Sequence, residues 1–141
     1  MNTQEKFKLG SWISRNTGQD FHWGVWDCNI FFVEYHDMMY GTNDLDRIYK
    51  KYIDRRSGIR LLKSMGLTST QWLTIKGYKQ LKTTPKKLLP GDVAVLDHKL
   101  YASVYIYFEG AWWSVQEDTG LRGYTPDAVK KAKPTWWRKD G

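Results

Sequence analysis

The sequence is poor in the residues that most often announce a chemistry. It has one cysteine, three histidines and four prolines among 141 residues. One cysteine makes no internal disulfide and cannot build a cysteine-based zinc site alone. Folding in a reducing cytosol is therefore expected. No apolar run approaches the roughly 18–20 residues of a membrane span. The opening MNTQEKFKLG has no apolar core and no small-residue cleavage site, so no signal peptide is expected there. No glycine-rich phosphate loop and no metal-ligand spacing occurs, so neither a cofactor nor a metal is expected. No repeat and no low-complexity linker divides the chain, which predicts one domain over residues 1–141.

Aromatics and positive charge are plentiful instead. Eight Trp, nine Tyr and five Phe make up 16% of the chain, and the net charge is +7. The charged and apolar fractions, 26% and 41%, are those of a globular protein. The charge is uneven. Residues 1–46 hold three basic and seven acidic side chains, and residues 47–141 hold nineteen and eight. Such asymmetry predicts a surface that meets a polyanion or an acidic partner, or else a small domain kept soluble by its charge. The basic segments 47–63 and 76–87 interleave with Tyr49, Tyr52, Trp72 and Tyr78. That mix suits phosphate pairing and base stacking, and equally an anionic cell-wall polymer or an acidic protein. Lys50, Lys51, Arg55, Arg56, Lys79 and Lys82, with Trp23 and Trp26, are the binding candidates.

The periodicity predicts helices first and an antiparallel sheet second, an α+β domain. Residues 3–14 read as an amphipathic helix, followed by an aromatic-dense loop over 21–28. The strongest helix spans 27–39. Asp27 is its N-cap, Cys28, Phe31, Phe32, Tyr35 and Met39 share one face, and Gly41 stops it. Shorter helices fit 44–52 and 57–65, while 68–89 reads as an irregular basic connection. Strands fit 92–97, 100–108 and 111–116, with turns at Asp97-His98-Lys99 and Glu109-Gly110. A strand at 121–124 leads into a helix at 127–132 capped by Thr125 or Asp127. Thr135 to Arg138 reads as an edge or closing strand.

Cys28 stands one residue after the cap of the strongest helix. The helix dipole and free amides there favour a thiolate. An oxyanion would bind beside Asp27, at the backbone amide of Cys28. Most free cysteines, by contrast, are small buried hydrophobes.

The stretch Phe21-His22-Trp23-Gly24-Val25-Trp26-Asp27-Cys28 resembles the Trp-Gly…Asp-Cys signature of the NlpC/P60 superfamily of papain-like cell-wall peptidases. It is most similar to a phage-borne branch of that superfamily, the DUF6950 family. Arg56 to Gly66 resembles that family's middle helix, and Pro90-Gly91-Asp92-Val93-Ala94-Val95-Leu96 resembles the Gly-Asp strand. Asp118-Thr119-Gly120-Leu121 and Thr135-Trp136-Trp137-Arg138 resemble its C-terminal motifs. The resemblance implies a papain-like fold in which Cys28 packs on the C-terminal sheet. It also implies a phage protein of the virion, in the tail or injection apparatus, made in the host cytoplasm and meeting peptidoglycan and other virion proteins.

One departure bears on activity. The histidine of NlpC/P60 enzymes falls here on Ala102, or on Ser103 if the register slips by one, and neither is a base near neutral pH. His98 lies four residues earlier, about 13 Å along a strand. His22 precedes Cys28 by six residues, an offset at which papain-like enzymes carry an oxyanion-hole glutamine. His36 lies two helical turns beyond Cys28, about 12 Å away. Peptide hydrolysis needs a base for the thiol and an acid for the leaving amine. A degenerate structural or adaptor domain is the expected reading. The alternatives are a peptidoglycan cysteine peptidase or amidase with Cys28 as nucleophile and His22 or His98 as base, and a nucleic-acid or glycan module without chemistry.

Overall fold

Capping residues fix the start of each long helix in this computed structural model, which describes residues 1–66, 69–98 and 101–140 and leaves out the side chains of Ser69, His98 and Tyr101. Asn2 and Glu5 form a capping box at the start of α1 (Thr3–Asn16). Asp27 caps α2 (Cys28–Tyr40), and Gly41 closes it in the left-handed conformation. Asp54 caps α3 (Arg55–Ser64) with Ser57 as its reciprocal partner. A short helix, α4, spans Ser69–Ile75. Thr125 caps α5 (Pro126–Lys131), with Pro126 in the first turn.

Six strands make one antiparallel sheet: β1 (Tyr78–Leu81), β2 (Val93–His98), β3 (Tyr101–Phe108), β4 (Ala111–Gln116), β5 (Gly120–Tyr124) and β6 (Thr135–Lys139). Their order is β1-β6-β2-β3-β4-β5. β2 to β5 form a meander. Phe108 pairs with Ala111 across Glu109 and Gly110, whose φ values of 47° and 80° suit the twist of a two-residue hairpin.

The main core lies between one sheet face and α1, α2 and α4. Leu9, Ile30, Phe31, Tyr35, Val93 and Ile106 are fully buried there. Each such aliphatic or phenyl side chain contributes about 1.5–3 kcal/mol by leaving water. Trp12 stacks on Phe31 with centroids 5.1 Å apart. A smaller core of Ala94, Trp112, Val129 and Trp136 fills the other face under α5. No helix among the described residues is long and apolar enough to cross a membrane.

Four sequence expectations change. The helix expected over 44–52 shrinks to a 3-10 turn at Leu45–Arg47. Lys50 then adopts φ 59°, and its N–H donates to the Gly24 carbonyl at 2.8 Å, which ends helical geometry. The segment 68–89, expected to be irregular, contains α4 and β1. β6 is an interior strand between β1 and β2 rather than an edge, and it supplies β1's pairing partner. Of the turn expected at Asp97-His98-Lys99, Asp97 and His98 belong to β2 instead; Lys99 lies outside the described residues.

Candidate functional site around Cys28

Asp27 organises the start of α2. It is 1% exposed. Its Oδ1 accepts from the amides of Asn29 and Ile30 at 3.0 and 2.9 Å. Its Oδ2 accepts from the Gly24 amide at 2.9 Å and from the Tyr52 hydroxyl at 2.5 Å. Gly24 has φ 79°, and a Cβ there would lie 2.0 Å from the Tyr52 carbonyl oxygen. Only glycine allows the aromatic loop and the 48–52 segment to approach so closely.

Cys28 is buried at 6% exposure, and its Sγ–H donates to the Ala102 carbonyl at 3.4 Å. Burial and the neighbouring Asp27 charge push the thiol up to about 12; the amides of Val104, Cys28 and Asn29 pull the other way without offsetting them. The thiol is therefore protonated at neutral pH. The helix start does supply favourable amides, as its position predicts, but desolvation outweighs them.

The candidate bases do not gather at this sulfur among the described side chains. His22 is exposed. Its backbone closes a small loop with Trp26, through bonds of 2.9 and 2.8 Å, and no hydrogen bond joins its ring to Cys28. His98 ends β2, paired in register with Tyr101, and its side chain lies outside the described residues. Ala102, opposite Asp97 in the register, occupies the sheet beside Cys28.

Over residues 3–135 the sequence matches the DUF6950 family, described as a domain of unknown function. The chain belongs to the DUF6950 family. No curated protein matches it.

Elsewhere on this DUF6950 domain, His36, Asp37 and Asp44 bring ligand-type atoms within 4.8 Å of one another. Internal donors occupy the two carboxylates. Asp37 accepts from the Thr42 hydroxyl at 2.5 Å and from the Asp44 and Leu45 amides at 3.0 and 2.8 Å. Asp44 is paired with Lys76 at 2.7 Å and Arg47 at 3.4 Å. Thr42 gives its proton to Asp37, so its oxygen accepts from His36 Nδ1 at 3.0 Å. His36 Nε2 is then a buried acceptor with no partner among the described residues. Burial, then Lys76 and Lys139, lower His36 to about 4.

The binding candidates divide by exposure. Trp26 is 3% exposed and packs against Trp12 and Phe31. Trp23 is half-buried, edge-on to Phe21. Lys50, Lys51, Arg55, Arg56, Lys79 and Lys82 are exposed, and Lys79 pairs with Asp140 at 3.0 Å. The interleaved aromatics are mostly unavailable for stacking: Tyr52 and Tyr78 are buried and Trp72 is half-buried. Sequence reasoning missed Tyr52 as the partner of Asp27, because no local pattern links residues that far apart. Asp92 accepts from the Leu89 amide at 2.8 Å and also holds Arg138 through two bonds of 2.8 Å.

Proposed function

We propose that this DUF6950 domain is a papain-like domain of NlpC/P60 type that has lost catalysis and serves as a structural or adaptor component of a bacteriophage virion, in its tail or injection apparatus. The observation that carries the reading is the Cys28 Sγ–H bond to the Ala102 carbonyl at 3.4 Å. By the NlpC/P60 resemblance, Ala102 is the position of the catalytic histidine. The thiol thus lies beside a strand residue whose side chain is a methyl group rather than an imidazole. It is also held near pKa 12 by burial and by Asp27. A thiol so protonated is a weak nucleophile, and no described side chain beside it would protonate a leaving amine. The helix-on-sheet arrangement around Cys28 supports the fold relationship, and the predominantly basic surface supports a role in assembly.

The test combines two measurements. The purified protein is expected to leave muropeptides intact, and Cys28 is expected to react with iodoacetamide far more slowly than glutathione between pH 6 and 8. Muropeptide cleavage that disappears in Cys28→Ala would overturn the loss of catalysis and establish the peptidase alternative. Mass spectrometry of purified virions tests the location: absence of the chain from particles removes the virion role.

A further inference from the structure

We infer that a cavity beside α3 is an anchor site for one branched aliphatic side chain of an acidic protein segment. The cavity lies where α2, the 3-10 turn, α3, α4 and β3 meet, and its volume is about 60 Å³. A water needs roughly 10–15 Å³ on such a measure and a benzene ring about 150 Å³, so the space takes one branched aliphatic group and no aromatic ring. Its walls include Phe32, Ile48, Leu62, Met65, Trp72 and Val104. Such walls give water few partners, which favours an apolar occupant.

The polar part of the lining is Asn29, Asp44 and Arg47. The Arg47 side chain is 50% exposed, so the cavity reaches the surface there. Asp44 is one carboxylate shared by two cations, Lys76 at 2.7 Å and Arg47 at 3.4 Å; Asp46, exposed on the same turn, offsets one of them. The elements that wall the cavity carry more positive charge outward. Lys50 and Lys51 follow the 3-10 turn, and Arg56, Arg60 and Lys63 lie exposed on α3. Asp54, the acid closest to them in sequence, is committed to the α3 cap. Exposed Ile53 (82%) and Tyr49 (37%) interrupt the basic stretch with apolar surface.

An apolar hole bordered by cations fits a partner residue such as Leu or Val flanked by Asp and Glu. The anchor supplies affinity, and the flanking charges supply orientation and on-rate. A nucleic acid fits less well. The cavity walls offer few donors or acceptors to a base edge, and Tyr52 and Tyr78 are buried away from any stacking role. The proposal rests on the adaptor reading and names the chemistry of its partner.

The experiment is fluorescence anisotropy on the full chain with labelled twelve-residue peptides. The central residue is Leu, Phe or Ala and the flanks are Glu/Asp or Lys; labelled oligothymidine is the polyanion control. Acid-flanked Leu peptides are expected to bind, and central Phe or Ala to weaken binding by about tenfold or more. Arg47→Glu, a surface change, and Leu62→Phe, which fills the cavity, are each expected to give a similar loss. Folding of both variants is checked by circular dichroism. The proposal fails if no acid-flanked peptide binds better than its lysine-flanked counterpart, or if central Ala binds as well as Leu. It also fails if oligothymidine binds more tightly than every peptide and Leu62→Phe leaves the peptides unaffected. Cleavage of muropeptides would strike the adaptor reading alone, because it is a separate readout from peptide binding.

Discussion

The two ends of α2 use the same material, a carboxylate that collects backbone amides, with different results. At the N-terminal end Asp27 accepts from Gly24, Asn29, Ile30 and Tyr52 and is closed to solvent. At the C-terminal end Asp37 accepts from Thr42, Asp44 and Leu45, but its network continues through Thr42 to His36, whose Nε2 has no described partner. The first end holds a thiol protonated beside a fixed negative charge. The second holds an imidazole neutral between two lysines. In both places a titratable group is subordinated to structure, and the second holds a buried histidine in its neutral form.

The largest expected effect breaks the first end. Asp27→Ala strands three amides and a hydroxyl, and a loss of about 4 kcal/mol is expected in urea unfolding. Asp27→Asn costs less and removes the charge that raises Cys28. Cys28 alkylation should then accelerate at a given pH, which sharpens the claim that Asp27 suppresses the thiol.

Acid tests the second end. His36 is lowered from 6.5 to about 4 in the folded state. Above pH 6.5 both states are neutral at this residue and nothing changes. Between about 6.5 and 4 the unfolded chain binds the proton first, so stability falls with pH by up to about 3 kcal/mol. Below about 4 both states are protonated and the loss levels off. Urea unfolding across pH 4 to 7 should show that slope, and His36→Gln should flatten it. A wild-type curve already flat in this window would remove His36 from the account. The smallest effect is Thr42→Val, which cuts the link between His36 and Asp37; about 1 kcal/mol is expected by thermal unfolding.

The parts of the fold readable from sequence are those whose signals are local. Asp27, the apolar face of Cys28, Phe31, Phe32 and Tyr35, and Gly41 together specify α2. The alternation on both sides of Glu109-Gly110 specifies the β3–β4 hairpin. The α4–β1 region escaped because Lys76, Lys79 and Lys82 mask a short apolar pattern whose support comes from β6. The helix expected to reach Tyr52 was cut short by contacts with Gly24 and Asp27, more than twenty residues earlier. The site divides the same way. The position of Cys28 at a helix start follows from its neighbours, but its burial and its Ala102 partner are tertiary facts. Even the acidic character of residues 1–46 misleads as a surface statement. Asp27, Asp37 and Asp44 are spent on backbone amides and internal ion pairs.

The place of β6 in the sheet also sets an order of assembly. β1 joins the sheet only through β6, and β6 follows β5 and α5 in the chain. The meander β2–β5 can form from near neighbours, whereas closing β1 onto β6 pays a long loop entropy. α4 precedes β1 directly and contributes Trp72 and Leu73 to the cavity wall. β1 is therefore placed late, when the last strand slots in between it and β2. A chain lacking β6 would leave β1, the strand that α4 leads into, without a partner.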